Sequence, residues 1–193
     1  MEDYSIDRLF PVSIYRKENV LEQEELDNIS TQCLKLKETV NKGGDNWRSS
    51  PYNTMGTFDL RDHTAFEKIA RIVTKRVNDF GKMQGSGYEY KCTDSWFNVY
   101  YKHDYQEYHT HNEDMFSAIV YIKSPEGSGR TFFKAPFDQR HVHNMFDVNE
   151  LNNDVCAYNP IPGNLLIFRS YIPHMVEQSL SDEPRISLAF NFN

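Results

Sequence analysis

The sequence predicts a mainly β protein, an antiparallel sandwich or barrel with two helices in front of it. Three observations carry this. Two segments with helical apolar spacing occupy the first 87 residues. From residue 88 the chain breaks into short runs rich in aromatic and β-branched residues. Turn signals separate those runs, and helices followed by many short strands indicate a sheet structure with helices packed on one face.

In order, "FPVSIYRKENV" reads as a short strand leading into a helix. The helix follows in "NVLEQEELDNISTQCLKLKETV", where Leu26, Ile29, Cys33 and Leu36 recur on one side. "NKGGDNWRSSPYNT" is a polar loop. A second helix is expected over "HTAFEKIARIVTKRVNDFGK", with Phe66, Ile69, Ala70, Val73, Val77 and Phe80 as its apolar stripe and Gly81 as its stop. The strands expected next are "YEYKCTDSWFNVYYK", "FSAIVYIK", "RTFFKAP", "NLLIFRS" and "ISLAFNF". "SPEGSG", "NPIPGN" and "SDEPR" provide turns. Residues 1–193 read as a single domain, with 1–87 as a helical support segment and 88–193 as the β core.

Composition narrows the function. An aromatic content of 14% provides ample material for a core and argues against disorder. The net charge of -7 argues against a general nucleic-acid binder. Cys33, Cys92 and Cys156 are odd in number and far apart, so neither a disulfide framework nor a zinc knuckle is indicated. A reducing, cytoplasmic setting is the simpler expectation. No secretory signal opens the chain, and no apolar run approaches the ~18 residues that span a membrane. The oligomeric state stays open, a homodimer included. No GxSxG elbow occurs, and "PEGSGR" lies between two strands, so it reads as a hairpin rather than a phosphate loop.

The chemistry lies in the second half, where six of the seven histidines fall after residue 100. "EYHTHNED" places His109, His111 and Glu113 at alternate positions, on one side of an extended chain. His174 comes 63 residues after His111, Arg185 follows 11 later, and Ser187 lies two beyond it. By itself a His-x-His pair is an ordinary strand end. With a distal histidine and an inward arginine it becomes a candidate three-ligand site that leaves coordination positions open. A dicarboxylic acid would chelate the metal at one end and meet Arg185 and Ser187 at the other. A second pair, His141 and His143 in "RHVHN", sits in a polar segment and reads as loop or lid.

From about residue 95 onward the sequence resembles the 2-oxoglutarate- and Fe(II)-dependent oxygenases, whose fold is a double-stranded β-helix (jelly roll). "WFNVYYKHDYQEYHTH" resembles the proximal half of their motif. "NPIPGNLLIFRSYIPHMVEQSLSDEPRISLAFNFN" resembles the distal half, with His174 and then Arg185-x-Ser187. Asn98 stands eleven residues before His109, with Tyr100 after it, as in members that use Asn-x-Tyr on the co-substrate. The resemblance implies a jelly roll with two supporting N-terminal helices. It implies Fe(II) on His109, His111 and His174, and 2-oxoglutarate on Arg185, Ser187, Asn98 and Tyr100. Molecular oxygen would be the second co-substrate, and the prime substrate a small molecule or a protein side chain.

The departure is His-x-His where the family has His-x-Asp or His-x-Glu. A branch that includes phage proteins is similar in this respect, with a strand like "SAIVYI" and a terminal "RISLAFN". A register shifted by two would restore His111 and Glu113. Two other functions remain open: a cupin-like three-histidine dioxygenase that does not use 2-oxoglutarate, and a non-catalytic metal-binding jelly-roll module.

Overall fold

The computed structural model describes residues 11–44, 48–136, 147, 149 and 152–193. His141 and His143 lie outside the described residues, as do residues 45–47 of the polar loop.

Helix α1 spans Gln23–Lys37 and α2 spans Glu67–Met83. In α1 the Glu25 carboxylate accepts from the Glu22 backbone N–H at 3.1 Å, which satisfies a donor that the helix start leaves open. Glu24 and Glu25 in its first turn and Lys35 and Lys37 in its last complement the helix dipole. Helix α2 does not stop at Gly81. It runs two residues further, and Gly85, at φ +82°, takes the left-handed position beyond its cap. Gly81 instead admits the Tyr90 ring, whose Cε2 would lie 2.6 Å from an added Cβ.

Among the described residues ten strands follow the chain: β1 Ile14–Lys17, β2 Tyr52–Asn53, β3 Cys92–Tyr100, β4 Gln106–His109, β5 Phe116–Lys123, β6 Thr131–Lys134, β7 Val155–Tyr158, β8 Leu165–Arg169, β9 His174–Val176 and β10 Arg185–Phe192. They form two antiparallel sheets, a larger one in the order β1-β8-β5-β10-β3-β2 and a smaller one in the order β4-β9-β6-β7. This is the jelly roll with two helices that the sequence predicts. The N-terminal segment also contributes strands β1 and β2 to the edges of the larger sheet.

The two-residue period of a strand divides the larger sheet into two faces. Phe97 and Val99 of β3 and Ile186, Leu188, Phe190 and Phe192 of β10 join Leu26, Ile29, Cys33, Ile69, Val73, Val77 and Phe80 of the helices in one core. Each such large side chain contributes about 1.5–3 kcal/mol on burial. The alternate residues, Trp96, Asn98 and Tyr100 on β3 and Arg185, Ser187, Ala189 and Asn191 on β10, line a cavity on the other face. Cross-strand register sets Asn98 opposite Ser187 and Tyr100 opposite Arg185. Among the described residues no helix is long and apolar enough to cross a membrane.

Candidate metal centre

Strands β4 and β9 pair so that His109 and His174 are direct cross-strand partners. Their ring centroids are 4.1 Å apart. His111 lies beyond the end of β4, yet its ring comes within 5.2 Å of His109 and 5.3 Å of His174, centroid to centroid. One potential ligand atom from each of the three lies within 4.8 Å of the others. The alternation expected of His109, His111 and Glu113 ends at His111. The chain turns there, with the Asp114 N–H donating to the His111 carbonyl at 3.2 Å, and Glu113 is exposed and outside the cluster.

Two of the rings have their tautomer set by the backbone. His109 Nδ1 lies 2.9 Å from the Glu107 carbonyl and His174 Nδ1 lies 3.0 Å from the Ile172 carbonyl. A carbonyl only accepts, so each Nδ1 carries the proton and each Nε2 the lone pair. His111 Nδ1 meets the Asn191 side-chain amide at 3.0 Å instead.

Burial lowers the pKa of all three. His111 is taken down to about 4, with His109 adding to the effect, and His174 falls well below the ordinary value. Neutral imidazoles are the form that binds a metal. Trp96 stacks on His111 at 5.8 Å and 19°, while Phe168 meets His174 edge-on at 4.7 Å.

The same cavity holds Arg185, which is fully buried. Its Nη1 donates to Ser187 Oγ at 3.3 Å and its Nη2 to Thr131 Oγ1 at 3.5 Å, both long for a charged donor. Its Nε is buried with no acceptor among the described residues. Tyr100 and Tyr121 flank the guanidinium at 4.8 and 5.4 Å from their ring centroids. Burial raises both phenols, Tyr100 to about 12, so they remain protonated donors. The Tyr121 hydroxyl donates to Thr131 at 2.8 Å, and that of Tyr100 to Gln106 Oε1 at 3.1 Å.

His109, His111, His174, Arg185, Ser187, Asn98 and Tyr100 thus line one cavity. The sequence reading does not find Trp96 and Asn191, although their alternation with Asn98 and Ser187 marks them. It also misses Thr131 and Tyr121, which come to Arg185 from β6 and β5 without any local signal.

The family model described as "Putative 2OG-Fe(II) oxygenase" matches residues 94–191, just over half of the chain. The chain belongs to this 2OG-Fe(II) oxygenase family. Solved structures of similar fold include a prolyl-4-hydroxylase from Pseudomonas putida. It has a TM-score of 0.67 at 15% identity, over 94% of this chain and 92% of that one. A viral collagen prolyl hydroxylase from Paramecium Bursaria Chlorella virus-1, solved with 2OG, has a TM-score of 0.61 at 16% identity, over 93% and 94% of the two chains. HygX from Streptomyces hygroscopicus, solved with nickel, 2-oxoglutarate and hygromycin B, has a TM-score of 0.64 at 12% identity, over 94% and 83%. No curated protein matches the chain.

The family's two groups, a ferrous ion and 2-oxoglutarate, suit the residues present. Three neutral imidazoles suit a divalent transition metal. A buried guanidinium with an unused donor suits a carboxylate.

Proposed function

We propose that this member of the 2OG-Fe(II) oxygenase family is an active Fe(II)- and 2-oxoglutarate-dependent hydroxylase. His109, His111 and His174 hold the metal, and Arg185 with Ser187 receives the far carboxylate of the co-substrate, assisted by Asn98 and Tyr100. When bound, the metal, keto acid and molecular oxygen supply oxidative decarboxylation to succinate and hydroxylation of a C–H bond in a small molecule or a protein side chain.

The observation that carries this reading is Arg185. A desolvated cation whose Nε has no acceptor among the described residues costs free energy unless an anion completes it. The anion belongs in the cavity that also holds the three histidines. The protein's own contributions are orientation and exclusion of water. The reading is supported by the register that sets Asn98 opposite Ser187 and Tyr100 opposite Arg185, by the pairing of His109 with His174 across β4 and β9, and by the packing of Trp96 on His111 and Phe168 on His174. The free thiols Cys33, Cys92 and Cys156 fit the reducing, cytoplasmic setting we propose.

A second reading, a three-histidine dioxygenase without 2-oxoglutarate, is favoured by a cluster made of three histidines with no carboxylate among the described residues. Anaerobic addition of Fe(II) and then 2-oxoglutarate separates the two. Chelation of Fe(II) by the keto acid produces a weak visible charge-transfer band. The hydroxylase reading expects that band in the wild type, its loss in His174→Ala and its weakening in Arg185→Ala. Metal binding without a band would overturn it in favour of the second reading.

A further inference from the structure

His109 and His174 obey one rule: each Nδ1 bonds the carbonyl two residues earlier, which places the lone pair on Nε2. His111 breaks it. Its Nδ1 faces the Asn191 Nδ2 amide at 3.0 Å. An amide nitrogen only donates, so His111 Nδ1 accepts here and Nε2 carries the proton. In that tautomer Nε2 is no ligand.

The amide is one link in a closed ring of polar groups. Asn191 Oδ1 accepts from Ser117 Oγ at 2.9 Å, and Ser117 Oγ lies 2.8 Å from Ser170 Oγ. The Ser170 carbonyl accepts the backbone N–H of His111 at 2.9 Å, which completes the ring. Ser117, Ser170 and Asn191 are all buried. Ser117 and Asn191 are cross-strand partners, and the register of β10 shifts just after Asn191. Such a shift is a usual means of re-aiming a side chain.

The three side-chain links can each reverse their hydrogen bond, while the backbone bond from the His111 N–H to the Ser170 carbonyl keeps its direction. If the amide turns over, Asn191 Oδ1 faces His111 Nδ1 and its Nδ2 donates to Ser117. Ser117 then donates to Ser170. His111 moves its proton from Nε2 to Nδ1 and keeps the same total. Its Nε2 lone pair then joins those of His109 and His174.

We propose that Asn191 is a positioning residue that sets the tautomer of His111, and that reversal of the Asn191–Ser117–Ser170 chain makes His111 a metal ligand. The ligand role rests on the three-histidine reading above, whereas the tautomer control does not. Side chains that orient a metal-bound histidine typically alter metal affinity by about 10–100-fold.

The test uses the full-length protein with 15N-labelled histidine and two variants. In metal-free wild type, the ring-nitrogen shifts should report Nε2–H for His111 and Nδ1–H for His109 and His174. Zn(II) should convert His111 to Nδ1–H. Asn191→Asp offers only acceptors and should leave Nδ1 of His111 protonated without metal. Asn191→Leu offers none, and Co(II), followed by its visible bands, should bind about 10–100-fold more weakly. Asn191→Asp should retain wild-type Co(II) affinity or exceed it. It is nearly isosteric, so it keeps the test decisive if the leucine variant fails to fold. Nδ1–H on His111 in metal-free wild type, or equal Co(II) affinity in both variants, would overturn the proposal. Failure of the wild type to bind Co(II) would instead overturn the three-histidine reading, while the metal-free spectra still decide the tautomer.

Discussion

The guanidinium of Arg185 sits 4.8 Å from the ring centroid of Tyr100, its cross-strand neighbour, and both side chains are fully buried. A cation over a desolvated ring gains about 2 kcal/mol or more, which holds the charge in place without using up its N–H donors. The arrangement fits the role proposed for Arg185 as the anchor of an anion.

Replacing Arg185 by Met should therefore separate function from stability. Loss of charge-assisted hydrogen bonds worth about 1.5–3 kcal/mol should weaken 2-oxoglutarate binding roughly 10–100-fold. The unliganded variant should melt at or above the wild-type temperature, because an apolar side chain replaces a buried charge with no ion-pair partner among the described residues. Calorimetric titration and thermal melts check both halves. A large drop in melting temperature would show that Arg185 serves the fold.

Thr131 joins Arg185 to Tyr121 through its hydroxyl. Thr131→Val removes that hydroxyl at constant shape. A neutral hydrogen bond contributes about 0.5–1.5 kcal/mol, so 2-oxoglutarate affinity should fall roughly 2–10-fold. An unchanged affinity would remove Thr131 from the carboxylate site.

The imidazoles predict a pH dependence of stability. In the unfolded chain each titrates near ~6.5. In the folded protein burial lowers His109, His111 and His174, His111 to about 4. Between about pH 6.5 and 4 the unfolded chain binds more protons, so stability rises with pH across that window and is lost as pH falls through it. The metal-free protein should melt progressively lower from about pH 7 to 5. His111→Gln should flatten part of that slope, and an identical slope in the variant would exclude His111 as a cause.

Gly129 precedes β6 where the backbone of Glu177 comes close. An added Cβ would lie 1.8 Å from the Glu177 carbonyl oxygen. Gly129→Ala should cost about 1–3 kcal/mol or more through overpacking. At ~2–4 °C per kcal/mol for a chain of this size, the melting temperature should fall by several degrees. A wild-type melting curve would show that this strand junction yields easily.

Much of this protein could be read in one dimension. Helices α1 and α2 carry their own apolar periodicity, and the long strands β3, β5, β8 and β10 are marked by aromatic and β-branched runs between turn signals. The spacing of His109, His111, His174 and Arg185-x-Ser187 is likewise a local property of the chain. What the sequence could not determine depends on partners distant in the chain. The short strands β2, β4, β7 and β9 have two to four residues each, too few for a period, and they become strands through the neighbours they pair with. Glu113 shares the alternation of the two histidines, and only a turn after His111 takes it out to solvent. Thr131 and Tyr121 meet at Arg185 because three strands converge there. The Asn191–Ser117–Ser170 ring, which meets His111 at both ends, exists only after sheet register has brought four distant residues into hydrogen-bond range. Periodicity and motif order are written along the chain, whereas the protonated nitrogen of His111 is decided by a contact that only folding makes.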